Sequence, residues 1–431
     1  MSGDGPLAGV KVLDLTRFVA GPYCTMLLAD AGADVIKVEP LGGEETRSLG
    51  PMLDAPGGDK ISGYFLRFAR HKRSICVNLA DERGKDVFAR LVAGADVVVE
   101  NFRPGVLARL GFSFEQLQAL NPRLVYCTIS GFGHSDSPQH EDPAFAILAE
   151  VLGGVVVANR HEGEPPVWTA LGLGDLYPSA LAVGGVSMAL FQRERTGRGA
   201  HVDMAMYDGM VSLNERVIAM TSMTGKEHRP GGGRSYNAPF GLFDAGEGEY
   251  VCIAVIGEKL WRRFCDLIGK PHLVDDPRLA GGELRARSLE EVLRPEIEGW
   301  LRETGRDRAV NILLSGGVPA GPIRHASEIL THPQTRARDM VIEYGSYAGL
   351  TTAVTGNPIK VTTAVPSAPS DPRPAAAPGA HTVEVLREVA AFDDERIREL
   401  LGAGVVEQWE ADAEPADPAG QHRSSEGMRS R

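Results

Sequence analysis

The chain has 431 residues, 43% hydrophobic and 24% charged, which suits a globular protein with a large core in one big or two moderate domains. Its 45 Lys and Arg against 57 Asp and Glu give a net charge of −12, which argues against nucleic acid or an anionic membrane as the main partner. The five cysteines (Cys24, Cys76, Cys127, Cys252, Cys265) are scattered without a C-x-x-C pair, so they read as reduced core residues of a cytoplasmic protein.

The opening MSGDGPLAG has neither a basic nor an apolar region, so no secretory leader is expected. VKVLDL (10–15) is a buried strand by its branched residues, GPYCTMLLADAGA (21–33) a helix, and DVIKVEP (34–40) a strand again. SICVNL (74–79) follows as a strand, then a helix over ERGKDVFARLVAGA and a strand over DVVVENF (96–102). Two short helices, PGVLARLG and FEQLQALNP, lead to the strand LVYCTISGF (124–132). Strands alternating with helices of this length mean βαβ units and a parallel sheet. Next comes an apolar helix from about residue 175, closed by the basic turn RERTGRG (193–199). No apolar run reaches the roughly 18 residues of a membrane span, and residues 173–191 come nearest. HVDMAMYDG (201–209) alternates and then turns helical. A hairpin is expected over 238–255 and helices over WRRFCDLIG and SLEEVLRPEIEGWLRETG, a second, smaller α+β region. SAPSDPRPAAAPGA (367–380) should be extended, DERIRELLGAG helical, and the last two dozen residues disordered.

Several motifs fail on inspection. The loop after the first strand, TRFVAGPYCT, has one glycine where a dinucleotide fingerprint needs three. No P-loop string occurs, GHSDS (133–137) lacks the last glycine of a nucleophile elbow, and no His or carboxylate cluster suggests a metal. Two aspartates stand out. Asp14, inside a buried strand, reads as a hydrogen-bonded core residue before it reads as a ligand contact. Asp175, in GLGDLYPSALAVGG (172–185), begins a helix before Pro178, where a carboxylate caps free amides and gains roughly 1 kcal/mol. Gly172 and Gly174 would leave it uncovered, and a helix N-terminus favours its ionised form, which can serve as a nucleophile. Local physics leaves both roles open. The run Gly231, Gly232 and Gly233 reads as a linker or as a flap offering amides to an oxyanion. RFARHKRS (67–74) reads as a solvated face or a phosphate contact.

Taken together, GADVIKVEP (32–40), KRSICVNL (72–79), ADVVVENFRPGVLARLGF (95–112), NPRLVYCTISGFG (121–133), GDLYPSA (174–180), ERTGRGAHVDMAMYD (194–208) and GVPAGPI (317–323) resemble the class III CoA-transferases, which include formyl-CoA and carnitine CoA-transferases. The likeness runs from residue 7 to 406. It implies a Rossmann-like large domain built from both chain ends (1–211 and 335–407), an inserted small α+β domain (225–330), linkers at 212–224 and 331–334, a tail at 408–431, and an interlocked homodimer. It implies transfer of CoA from an acyl-CoA donor to a carboxylic acid acceptor, with the CoA thioester as substrate and no permanently bound cofactor or metal. Asp175 aligns with the family's nucleophile. Val19, Ala20, Lys37, Arg73, Asn101, Phe102, Arg103 and Arg109 would contact CoA, and Phe145 with the glycine run would border the substrate. Val19 stands where formyl-CoA transferases carry glutamine, which argues against formate/oxalate exchange. Pro40 and Ala80 replace basic residues, so phosphate contacts would shift to Lys37, Arg70, Lys72 or Arg73. The related α-methylacyl-CoA racemases carry His followed by Asp where this chain has Phe145 and Ala146, with His134 and His140 as substitutes. A non-catalytic CoA-binding homologue is the third reading.

Overall fold

In the computed structural model, residues 5–134, 137–158, 165–227, 237–361 and 373–409 are described. Six apolar runs form parallel strands: β1 (Lys11–Asp14), β2 (Asp34–Glu39), β3 (Lys72–Val77), β4 (Val97–Glu100), β5 (Val125–Ser130) and β6 (His201–Ala205). They lie in the order β3-β2-β1-β4-β5-β6, and a short antiparallel strand, Val406–Glu407, covers the outer edge of β3. β2 to β5 are almost continuously buried, as expected of strands with helices on both faces. The chain leaves β1 toward β2 and later returns to its other side as β4. That reversal opens a crevice at the carboxyl ends of β1 and β4.

By compactness the chain divides into two units. The first comprises Met1–Ala146, Leu173–Gly209 and Ile342–Arg431. The helix Glu82–Ala93 shows how its core forms. Asp81 caps it by accepting the Arg83 N–H at 2.9 Å, and Val87, Phe88, Leu91 and Val92 share its buried face. They pack with Leu13, Ile36, Ile75 and Val98 of the sheet. The C-terminal helices Thr382–Glu388 and Asp394–Gly402 send Val385, Leu386, Ile397 and Leu400 into the same core. Each such side chain contributes roughly 1.5–3 kcal/mol on burial, which ties the distant chain end to the first strands.

The second unit comprises Ile147–Gly172 and Met210–Val341. The expected hairpin is present as Phe240–Gly246 and Glu249–Ala254, with Ala320–Pro322 added antiparallel to the second strand. Glu247 and the glycines on either side have positive φ, which suits the AGEGE turn. Phe243, Val251 and Ile253 meet Trp261, Phe264, Leu293 and Ile297 in a separate core. Arg285 is buried there over Trp261 and donates to the Ala238 carbonyl at 3.0 Å and to Glu258 at 2.8 Å.

The long helix Leu173–Thr196 is, by length and composition, apolar enough to cross a membrane, unlike the sequence reading of that stretch. Here it packs along Ala20–Asp30 and β6. Four cysteines are buried free thiols as expected, but Cys252 is exposed because its side chain alternates away from the small core.

Candidate active site

The site grows from the end of β1. Asp14 is fully buried and accepts hydrogen bonds from the Thr16 N–H (2.9 Å) and hydroxyl (2.5 Å), the Thr25 hydroxyl (2.7 Å) and Lys72 Nζ (2.9 Å). Burial alone would raise its pKa, but the ammonium groups of Lys72 and Lys37 and the Thr16 hydroxyl outweigh it and hold the carboxyl far below the usual range. Asp14 is thus the core residue it seemed, knotting β1, β3 and the helix α1 (Ala20–Asp30) together. Lys37 is equally buried. Its Nζ donates to the Thr16 carbonyl at 2.8 Å and lies 3.2 Å from Glu44.

The loop that follows is held from the other side by Asn101. The Arg17 N–H donates to Asn101 Oδ1 and Asn101 Nδ2 donates to the Arg17 carbonyl, both at 2.8 Å. Phe18 then takes a φ of +63°, a conformation costly for a bulky residue and maintained only because its neighbours are pinned. Val19 precedes α1, and Ala20 begins it. The Arg17 guanidinium lies 5.3 Å from the centroid of the Phe102 ring.

Above these residues is a cavity of about 630 Å³ at the carboxyl ends of β1 to β4. Leu15, Thr16 and Arg17 form one wall, residues 38–41 and 77–80 another, and Phe102 and Arg103 close it. Its lining is mostly apolar and includes two arginines, Arg17 and Arg103, which suits an aromatic base carrying phosphates. Pro40 and Ala80 are both on the lining, so the two substituted positions do face this space. Beneath it, Glu100 is buried at the end of β4. Its carboxylate accepts the Phe102 N–H at 2.6 Å and the Tyr126 hydroxyl at 2.8 Å. Burial pushes Glu100 up to about 7 despite those two hydrogen bonds, which favour the ionised form.

Of the residues singled out from sequence, Phe102 and Arg103 line this cavity and Asn101 braces it from behind. Arg109 is exposed on the short helix Val106–Arg109 and is not part of the lining. Lys37 is tied to the loop's backbone, not open to a phosphate. Arg73 lies elsewhere, bonded to Asp34 at 2.5 Å and to Glu384 at 2.8 Å. Arg70 is buried on Asp30 and Lys72 on Asp14, so these four candidates are used in holding the fold together. Phe145 is 69% exposed. His134 is half-buried with its backbone N–H on Asp203, and His140 is exposed beside Glu141. Gly231, Gly232 and Gly233 lie outside the described residues. Among the described residues no three His, Cys, Asp or Glu are grouped to hold a metal ion.

Asp175 is half-buried, and it is the third residue of its helix, not the cap. Gly172 at φ +68° turns the chain into the helix. A side chain at Gly174 would strike the Ala146 carbonyl at 2.4 Å, so this glycine serves close packing. One turn on, the Ser179 hydroxyl donates to the carbonyls of Ala20 (2.6 Å) and Asp175 (2.5 Å). The Asp175 turn is therefore joined to the loop whose other flank, at Arg17, walls the cavity.

The description "CoA-transferase family III" matches residues 7–382. The chain belongs to this family. It is 38% identical over 370 residues to the succinyl-CoA:mesaconate CoA-transferase of Haloarcula marismortui, covering 84% of this chain and 92% of the relative. Identity to the acetyl-CoA:oxalate CoA-transferase of Acetobacter aceti is also 38%, over 362 residues, 83% of this chain and 89% of that one. Among solved structures, a CaiB/BaiF family protein from Brucella suis superposes with a TM-score of 0.78 at 32% identity, covering 89% of this chain and 99% of the neighbour. The protein is a class III CoA-transferase, and enzymes of this class act on thioesters of coenzyme A. The transferase also carries site residues that the motif reading passed over. Arg17 sits inside the string DLTRFVAGP, and Glu100 directly precedes Asn101.

Proposed function

We propose that the transferase moves CoA from an acyl-CoA donor to a carboxylic acid through covalent intermediates on Asp175. The observation that carries this reading is a half-buried carboxylate in the first turn of a 24-residue helix, linked through Ser179 to the loop that walls the cavity. An Asp175 oxygen attacks the thioester carbonyl carbon, the C–S bond breaks, and CoA thiolate leaves a mixed anhydride. The thiolate attacks the Asp175 acyl carbon, releasing the donor acid and forming an aspartyl-CoA thioester. The acceptor carboxylate attacks that carbon, expelling the thiolate and making a second anhydride. Finally the thiolate attacks the acceptor's acyl carbon, giving the new thioester and free Asp175. Four acyl exchanges of similar energy replace one bimolecular exchange between poor partners.

Arg17, Phe102 and Arg103 are the side chains we assign to the nucleotide end of CoA, with Asn101 and Lys37 holding the backbone that presents them. The α-proton shuttle of a racemase gains no support from Phe145 and Ala146, which offer no base, and would have to fall to His134 or to the exposed His140. An interlocked homodimer fits the apolar side chains that one chain leaves open, with Met188 73%, Phe145 69%, Phe191 67% and Leu171 67% exposed.

The test is intact-protein mass after mixing with succinyl-CoA, with hydroxylamine trapping and peptide mapping. An adduct on the peptide carrying Asp175 is expected, and Asp175→Ala should lose it together with at least about 10³-fold of turnover while keeping its thermal midpoint. An adduct on another peptide, or an Asp175→Ala protein that unfolds, would return this carboxylate to a purely helix-stabilising role.

A further inference from the structure

The turn that carries Asp175 is held from three sides. Gly174 lies against the Ala146 carbonyl, too close to admit a side chain. Pro178 is buried inside the helix, and a side chain on Gly209 would strike its ring at 2.6 Å. Ser179 is fully buried, and its hydroxyl reaches the Ala20 carbonyl at 2.6 Å and the Asp175 carbonyl at 2.5 Å. A hydroxyl has a single proton to give, so the two carbonyls share one donor, and a shift of one changes the hold on the other. The first two contacts are steric walls. The third is polar, and it leads to the loop that walls the cavity.

The path from Ala20 back to the cavity is short. The Val19 carbonyl takes the Tyr23 N–H at 2.9 Å, in the first turn of α1. Arg17, which lines the cavity, is pinned through both backbone groups to Asn101 at 2.8 Å, and the Thr16 carbonyl before it to Lys37 at 2.8 Å. Asn101 is followed by Phe102 and Arg103, which line the same cavity. Phe18, at φ +63°, stands between these two fixed stretches. A residue held in so costly a conformation has no slack to absorb a displacement. Movement of the cavity wall therefore passes to Ala20, and through Ser179 to the Asp175 turn.

The chemistry gives such a path a use. The nucleotide end of CoA touches none of the bonds that form or break. Contacts made equally in the ground and transition states lower KM and leave kcat alone. They raise kcat only where they also improve the placement of the reacting atoms, and a misplacement of about 1 Å costs roughly 100-fold. Resting on the readings of Asp175 as nucleophile and of the cavity as the nucleotide site, we propose that Ser179 is a positioning residue that couples the two. A nucleotide seated on Arg17 and Phe102 sets the Asp175 turn through Ala20 and Ser179, and the carboxylate is aligned for attack when that nucleotide is in place. Thioesters without a nucleotide are then poor in kcat as well as in KM. Formation of the water-sensitive anhydride is confined to the complex whose thiolate stays at hand to consume it.

The experiment follows exchange of labelled succinate into succinyl-CoA and into succinyl-pantetheine, which lacks the nucleotide, with kcat and KM measured separately. In the native protein kcat for succinyl-pantetheine should be about 100-fold below that for succinyl-CoA, and adding 3′-phospho-ADP, the missing fragment, should raise it about tenfold. Ser179→Ala should lose about 10- to 100-fold in kcat with succinyl-CoA, stay within about twofold with succinyl-pantetheine, and no longer respond to the fragment. Its affinity for free CoA should stay within about twofold. Ser179→Thr, which keeps the hydroxyl, should recover part of the response. Asn101→Ala frees the far end of the same path and should collapse the kcat ratio in the same way, which keeps the inference testable if Ser179→Ala does not fold. Equal native kcat for the two thioesters, no response to the fragment, an equal loss for both thioesters in Ser179→Ala, or a native ratio in Asn101→Ala overturns the assignment. Intact mass taken on the same samples separates the two readings. An adduct on Asp175 with an unmoved ratio keeps the nucleophile and removes the coupling, and an adduct on another peptide removes the nucleophile and with it the role given to Ser179.

Discussion

Two groups of basic residues lie around the carboxyl ends of the sheet, and the fold treats them in opposite ways. Below the crevice, Lys37 and Lys72 are 3% and 5% exposed and locked onto Thr16, Glu44 and Asp14. Around its rim, Arg17 lies against an aromatic ring with only a loose contact to Glu45 at 3.8 Å, while Arg103 has no described carboxylate partner. The first group shapes the loop and the second is available to a ligand. Charge count therefore says little about binding until each cation's partner is known. A buried ammonium without its carboxylate would be very costly, so these pairs are mutually obligatory.

The sharpest way to break this contrast is to remove one member of the buried set. Lys72→Met leaves Asp14 buried without its ion-pair partner and should cost about 3–5 kcal/mol in urea unfolding. A cost below 1 kcal/mol would show that Asp14 does not need its partner.

Glu100 sits between the groups, buried yet bonded to the backbone of a rim residue. Its pKa of about 7 exceeds the ordinary 4.5, so the folded state holds the extra proton between those values. Unfolding free energy should then fall as pH rises through that window, by up to about 3 kcal/mol, and level off above it. Glu100→Gln should flatten this decline, which thermal midpoints at pH 5 to 8 would reveal. Parallel curves for both proteins would contradict it. Raised KM for acyl-CoA in the same variant would mark Glu100 as positioning Phe102.

At the rim the effects should be on binding alone. Arg103→Gln and Arg17→Gln are each expected to raise KM for the CoA thioester by about tenfold with unfolding unchanged. If either instead lowered stability as Lys72→Met does, the division into two groups would fail. The smallest effect is expected far from both regions. Arg83 is exposed and paired with Asp81 at 2.7 Å, and Arg83→Ala should leave the thermal midpoint where it is in the native protein.

Much of this molecule was legible as a string. Branched runs at β1 to β5 with amphipathic stretches between them announce a parallel sheet, because burial on both faces demands continuous apolar strands and a crossover needs a helix. Asp175 stood out because a carboxylate that follows two closely spaced glycines at a helix start is a local signal. The string could not show that this aspartate is the third helical residue, that Gly174 is needed for the Ala146 carbonyl, or that Cys252 faces outward. Nor could it sort the basic residues. Arg67 and Arg73 are six positions apart in one run, yet one stands exposed between two rings and the other is held on Asp34 and Glu384. Local pattern determines which segments are strands and helices, since that depends on neighbours a few residues away. Whether a charge is neutralised or left for a ligand depends on carboxylates up to 315 positions distant, as between Arg73 and Glu388, and only tertiary packing decides that.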